Sequence, residues 1–114
     1  MLKFVLVFCG GGAGSIVRYA ISLLLNGHGW PWGTLAVNVI GSFLIGLVGS
    51  FAGRGVISEE MRLFLAVGLC GGFTTFSTFS NECVAMLRSG DWIVAAVYIA
   101  VSVAAGILAV WWNA

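Results

Sequence analysis

Charge is what this 114-residue chain has least of: Asp, Glu, Lys and Arg together make up 8% of it, against about 25% in an ordinary soluble domain. With 61% hydrophobic residues and a mean hydropathy of +1.09, that scarcity excludes a water-soluble domain and leaves the lipid bilayer. A formal net charge of +1 gives no sign of nucleic acid as a partner. The three cysteines, Cys9, Cys70 and Cys83, have no metal-ligand spacing and read as small apolar packing residues. No nucleophile stands with a base or a metal set, so the chain does not read as an enzyme. The lone histidine, His28, reads as an ordinary interfacial residue.

What is there is apolar length. A membrane-spanning helix needs about 20 mainly apolar residues, so the chain holds four spans, at about 2–25, 33–52, 60–87 and 92–112, as one transmembrane domain with no extramembrane domain. The first run is too long for a secretory leader and lacks a small-residue cleavage site, and is expected to be retained. Polar turns separate the spans at Asn26-Gly27-His28-Gly29, at Ser58-Glu59-Glu60, which is an N-cap candidate with acids in the first turn, and at Ser89-Gly90-Asp91. Pro31 suits a helix entrance, and Trp30, Trp32, Trp92, Trp111 and Trp112 mark the headgroup levels. The short connections make consecutive helices antiparallel neighbours and put both termini on one side.

The third span contains a contradiction. Gly71-Gly72-Phe73-Thr74-Thr75-Phe76-Ser77-Thr78-Phe79-Ser80-Asn81-Glu82 lies at its middle, where two glycines and two adjacent threonines weaken a helix. A break at bilayer depth frees carbonyls that lipid cannot satisfy, and is tolerated only where it is buried in protein or faces water or an ion. Polar residues in the other spans are periodic. Thr34, Asn38, Ser42 and Gly46 recur every fourth residue on one helix face, as do Tyr98, Ser102 and Gly106. Each ladder alone has a packing explanation, through hydroxyls bonded back to their own helix or an asparagine tying two helices. Three together, counting Thr75, Ser77, Thr78, Asn81 and Glu82, read as one hydrogen-bonding track. The pairs Gly10/Gly14, Gly49/Gly53 and Gly68/Gly72 are GxxxG patterns that let helices approach closely.

A track of hydroxyl and amide donors, with Arg18 the only basic group well within a span and Glu82 the only acid, suits an anion. Phe73, Phe76 and Phe79, which recur every third residue, strengthen that reading, because a phenyl edge carries the positive part of the ring quadrupole and can meet an anion without trapping it. The residues themselves lead as far as a small, strongly hydrogen-bonding anion.

Gly11-Gly12-Ala13-Gly14-Ser15-Ile16-Val17-Arg18-Tyr19, Gly33-Thr34-Leu35-Ala36-Val37-Asn38-Val39-Ile40-Gly41-Ser42 and Gly71-Gly72-Phe73-Thr74-Thr75-Phe76-Ser77-Thr78-Phe79-Ser80 resemble, in order, the three signature stretches of the Fluc/CrcB fluoride channels. The resemblance implies a fluoride-selective channel, an antiparallel dual-topology homodimer with two pores that lets toxic fluoride leave a bacterial cytoplasm passively through the inner membrane. By position, Phe76 and Phe79 resemble the pore phenylalanines, and Asn38 an asparagine that donates to the ion. Thr34, Tyr98 and Ser102 resemble a hydroxyl cluster along the route, with Ser77, Thr78 and Glu82 as polar groups beside it. Arg18 resembles a vestibule arginine, and the carbonyls of Gly71 and Thr74 the holders of a structural sodium ion at the dimer interface. The fourth span fits less closely, because Gly106 offers no hydroxyl one turn beyond Ser102.

Lys3, Arg54 and Arg62 on one side face Arg88, and Arg18 if it snorkels that way, on the other. Three against two permits insertion both ways, from which an antiparallel dimer follows; the other reading is that one orientation wins through features other than charge. A proton-coupled exporter of organic cations is the rival of similar size, but its first helix should carry an acid and this one has none, leaving Glu82. A non-transporting assembly or pore-lysis protein would explain the glycines and leave the polar ladders unexplained.

Overall fold

The computed structural model describes residues 1–26 and 30–113, all helices and short turns. Gly27, His28 and Gly29, on which the first polar turn and the interfacial histidine fall, lie outside the described residues, as does Ala114. Helix α1 is Leu2–Leu25 and α2 is Trp32–Gly53. The third span, Glu59–Arg88, divides into α3 (59–73) and α4 (Phe76–Arg88), and α5 is Trp92–Trp111. All four spans are long and apolar enough to cross a membrane.

Local chemistry sets the ends. The Ser58 Oγ accepts from the Met61 amide at 3.1 Å, and Glu59 grips Arg62 at 2.7 Å one turn later, so the acids lie in the first turn of α3 as its dipole favours. Asn26 Oδ1 accepts the Gly33 amide at 2.8 Å, satisfying a free donor at the start of α2. Two glycines with positive φ, Gly55 at 73° and Gly90 at 82°, reverse the chain after α2 and α4.

Glycines hold α1 against α3. A Cβ on Gly14 would overlap Leu69 O, one on Gly72 would overlap Gly11 O, and one on Gly68 would stand 3.0 Å from the Gly10 Cα. The two GxxxG pairs of α1 and α3 therefore meet backbone to backbone, a contact in which dispersion replaces the hydrophobic effect that lipid does not supply. Leu63–Cys70, within α3, winds as a π-helix, and its backbone at Phe64 and Leu69 is what Gly10 meets. The third pair, Gly49/Gly53, meets nothing within 4 Å among the described residues; it faces away from them and is no part of their packing.

The glycines are not where the third span breaks. Gly71 is helical at φ −61°, ψ −40°, and the helix runs on to Phe73. Thr74 (φ −87°, ψ 160°) and Thr75 (φ −151°, ψ 122°) are the extended residues. The physical reason is that Gly71 and Gly72 sit where close approach to α1 rewards a missing side chain, whereas Thr74 turns its hydroxyl back to Cys70 O at 3.0 Å and Thr75 turns its own forward to cap α4. Cys70 and Cys83 are buried as expected of packing residues, but Cys9 is exposed on α1.

The chain buries few large side chains: Tyr98 and Val37 are fully covered, and Phe73 nearly so. Phe4, Phe8 and Ile93 stand about four-fifths exposed, as suits surfaces that meet lipid or another chain.

Candidate functional site

The break dictates a complete accounting of backbone groups. Gly72 O, which lost its helical donor, accepts Arg18 Nε from α1 at 3.1 Å. Thr75 N donates to Asn38 Oδ1 at 2.8 Å, and Asn38 Nδ2 returns a bond to Thr75 O at 3.1 Å, so one amide side chain of α2 clamps both polar groups of the extended residue. Thr75 Oγ1 accepts the Thr78 amide at 3.2 Å and starts α4. Among the described residues, the carbonyls of Gly71 and Thr74 take no hydrogen bond. Two uncommitted carbonyls are hard oxygen donors, and that donor chemistry fits a sodium ion. Among the described residues no three His, Cys, Asp or Glu side chains cluster to offer a cation anything else.

Arg18 is thus turned inward, to the break, and not out to a headgroup. Its guanidinium neutralises part of the dipole at the C-terminal end of α3, where cations are favoured. Asn38 spends one of its two N–H groups on Thr75 and keeps the second, and it lines a groove beside the break.

That groove, of about 340 Å³, is walled by Asn38 and Ser42 of α2, Gly71 of α3, the break residues Thr74 and Thr75, Phe76 and Phe79 of α4, and Ser102 of α5. Two helices running in the same direction face each other rung by rung across it. Thr34 and Tyr98 meet through Glu82, whose Oε2 and Oε1 accept their hydroxyls at 2.9 Å each. Asn38 and Ser102 face the groove one turn on. Ser42 then faces Gly106, and Gly46 faces Val110. The two four-residue ladders of the sequence are therefore two sides of one seam.

The hydroxyl cluster expected from Thr34, Tyr98 and Ser102 is split in two. Thr34 (1% exposed) and Tyr98 (0%) are bound to the carboxylate, while the Ser102 Oγ is buried with no partner among the described residues. Leaving a buried hydroxyl unpaired costs about 1–3 kcal/mol, which is sensible where a ligand takes the bond. Phe79 links the two parts, its ring centroid 5.1 Å from that of Tyr98 and 6.0 Å from that of Phe76. Phe76 itself is 79% exposed, at the open edge of the groove. Ser77 is exposed, and Thr78 contributes its amide to the cap of α4.

Sequence reasoning missed Trp30. Its place beside Pro31 marks a membrane boundary, yet its ring meets Tyr98 edge-on at 5.3 Å and its Nε1 is buried without a partner among the described residues. No periodicity signals such a contact, because Trp30 lies in a connection. The π-helical winding also left no mark on the apolar run 63–70.

Residues 5–114 match the model of a family described as CrcB-like protein, Camphor Resistance (CrcB). Among curated relatives, the chain is similar to "Fluoride-specific ion channel FluC" of Bacteroides fragilis, 45% identical over 96% of this chain and 91% of that one. It is also similar to the protein of the same name from Phocaeicola vulgatus, 47% identical over 96% and 93%, and to that from Thermus thermophilus, 50% identical over 80% and 75%.

Proposed function

This chain belongs to the CrcB family, and we infer from that membership that it is a multi-pass membrane protein that conducts fluoride, as its relatives are named for doing. It is a channel and not an enzyme. The exporter reading has no support among the relatives described above, each of which is named as a fluoride channel.

The observation that carries the mechanism is the groove between α2 and α5, where unspent donors meet phenyl rings beside a helix break. Fluoride is small and accepts hydrogen bonds strongly, so it exchanges water for the second Asn38 N–H, the Ser102 hydroxyl and the ring edges of Phe79 and Phe76. Thr34, Tyr98 and Glu82 form a hydrogen-bonded cluster one turn beyond the lining of the groove, against the ring of Phe79. Both hydroxyl donors are spent on the Glu82 carboxyl, which fixes α2, α4 and α5 in register at one end of the route. Chloride, larger and a weaker acceptor, recovers less of its hydration from the same donors. Ser77 and Thr78 stand at the start of α4 as polar neighbours of this path.

The functional unit in this reading is an antiparallel homodimer with two such routes. Three features support it: Phe76 and the apolar residues of α1 are uncovered in the protomer, the Gly49/Gly53 face is unpartnered, and the Lys/Arg distribution has no strong side preference. Gly71 and Thr74 carbonyls from both protomers would hold a sodium ion at the two-fold axis. When bound, that ion supplies positive charge to backbone oxygens that lipid leaves unsatisfied. The physiological consequence is passive loss of toxic fluoride from a bacterial cytoplasm across the plasma membrane.

The test is anion efflux from liposomes containing purified protein, read with fluoride and chloride electrodes, with a potassium ionophore present to dissipate voltage. Rapid fluoride loss without chloride loss is expected. Folded protein that releases no fluoride would overturn the reading.

A further inference from the structure

The seam between α2 and α5 changes character along its length. Its first rung is closed by Glu82 between Thr34 and Tyr98, and its second holds Asn38 and Ser102. The third pairs Ser42 with Gly106, and the fourth is closed again: a Cβ on Gly46 would lie 3.0 Å from Val110 O, and Asn113 Nδ2 fastens α5 to Phe43 O at 3.0 Å. Between the second and fourth rungs the space stays open. A second groove, lined by Ser42, Ser102, Val103, Gly106 and Ile107 and bounded at its far end by Val110 and Trp111, shares Ser42, Ser102 and Val103 with the first and so continues it along the α5 side of the seam.

On the third rung α5 has no donor to give, because Gly106 lacks a side chain. The bare glycine instead leaves room for the opposite hydroxyl: a Cβ at position 106 would meet the Ser42 Oγ at 3.5 Å. Ser42 is half-buried, and its hydroxyl makes no hydrogen bond among the described residues, unlike the back-bonded hydroxyls of Thr74 and Ser89. An unspent donor facing a bare glycine, one turn beyond another unspent donor, is placed to take over a desolvated anion.

We propose that Ser42 is the anion-binding residue of the third rung, donating its hydroxyl to fluoride as the ion passes from Asn38 and Ser102 across the space vacated by Gly106. The proposal rests on the groove being the fluoride route. It assigns to α2 the handover that the α5 ladder drops, and it makes the two positions interchangeable: a hydroxyl is needed on the rung, from either helix.

The experiment moves the hydroxyl across the seam. Fluoride efflux is measured from liposomes for the wild type, Ser42→Ala, Ser42→Thr, Ser42→Ala/Gly106→Ser and Ser42→Ala/Gly106→Ala, each first shown monodisperse by size exclusion. Ser42→Ala should slow efflux about tenfold, as for one lost hydrogen bond to an ion, and Ser42→Thr should stay near wild type. Adding Gly106→Ser should restore most of the rate, and adding Gly106→Ala should not. Normal efflux from Ser42→Ala, equal efflux from the two double variants, or loss in Ser42→Thr as large as in Ser42→Ala would overturn the proposal while wild-type flux leaves the channel reading standing. Absence of fluoride flux from the wild type overturns both.

Discussion

Two seams in this protein are written with the same four-residue spacing and come out opposite. Between α1 and α3, Gly10 meets Gly68, Gly11 meets Gly72 and Gly14 meets Leu69 and Phe73, with backbones touching. Between α2 and α5, Thr34, Asn38 and Ser42 face Tyr98, Ser102 and Gly106 and leave a groove. A repeat of hydrogens lets helices close; a repeat of hydroxyls and amides holds them apart and gives the gap something to bind. The period places residues on a face, and side-chain size and polarity decide whether that face is glue or wall.

The comparison breaks most forcefully at the closed seam. Gly14→Val would drive a branched side chain into Leu69 O and the Phe73 amide; neither is a flexible side-chain end that could swing aside. A loss of at least about 3 kcal/mol is expected, read as collapse of monodisperse yield and thermal stability in detergent; a wild-type melt would show that α1 and α3 are not locked as described. At the open seam the damage should be functional. Phe79→Ile and Phe76→Ile should each lower fluoride flux more than about tenfold, equivalent to ~1.4 kcal/mol, with elution volume unchanged. Near-normal flux in both variants would remove the rings from the route.

Smaller changes sharpen the contrast. Ser102→Ala removes a buried hydroxyl with no partner among the described residues, so thermal stability should hold or rise by up to about 3 kcal/mol while fluoride efflux falls severalfold; stability lost in step with flux would make Ser102 a structural residue. Glu82→Gln retains an acceptor for one of its two hydroxyl donors, and flux should change by less than about tenfold, the equivalent of one hydrogen bond. Abolition of flux would return attention to proton coupling. Gly49→Ala, with nothing within 4 Å, should gain up to about 1 kcal/mol of helix propensity and leave the protomer intact. If it disrupts self-association on size exclusion, that face belongs to the interface between copies.

Helix number, the polar ladders and the region of the break were legible because each rests on a local signal: apolar length, a four-residue period, weak helix formers in an apolar run. The exact residues of the break were not, since Gly71 and Gly72 have low intrinsic propensity yet are held helical by contact with α1, a tertiary effect that propensity does not contain. Likewise Arg18 carries no sign in the sequence of whether it will reach a headgroup or a carbonyl 54 positions away. Glu82 could be singled out as an intramembrane acid, but its two donors come from separate helices, and only the register of α2 against α5 brings them together. Trp30 was hidden because a connection has no face.

The two extended threonines between α3 and α4 have one more consequence. A helix advances about 100° in phase per residue, whereas an extended strand alternates by 180°. Thr74 and Thr75 therefore act as a swivel in the chain. Before them, the third span turns its glycines to α1; after them, it turns Phe79 and Glu82 toward Tyr98 of α5. One continuous crossing of the bilayer is thereby able to serve two neighbours that lie on different sides of it, and four short spans do the work of five.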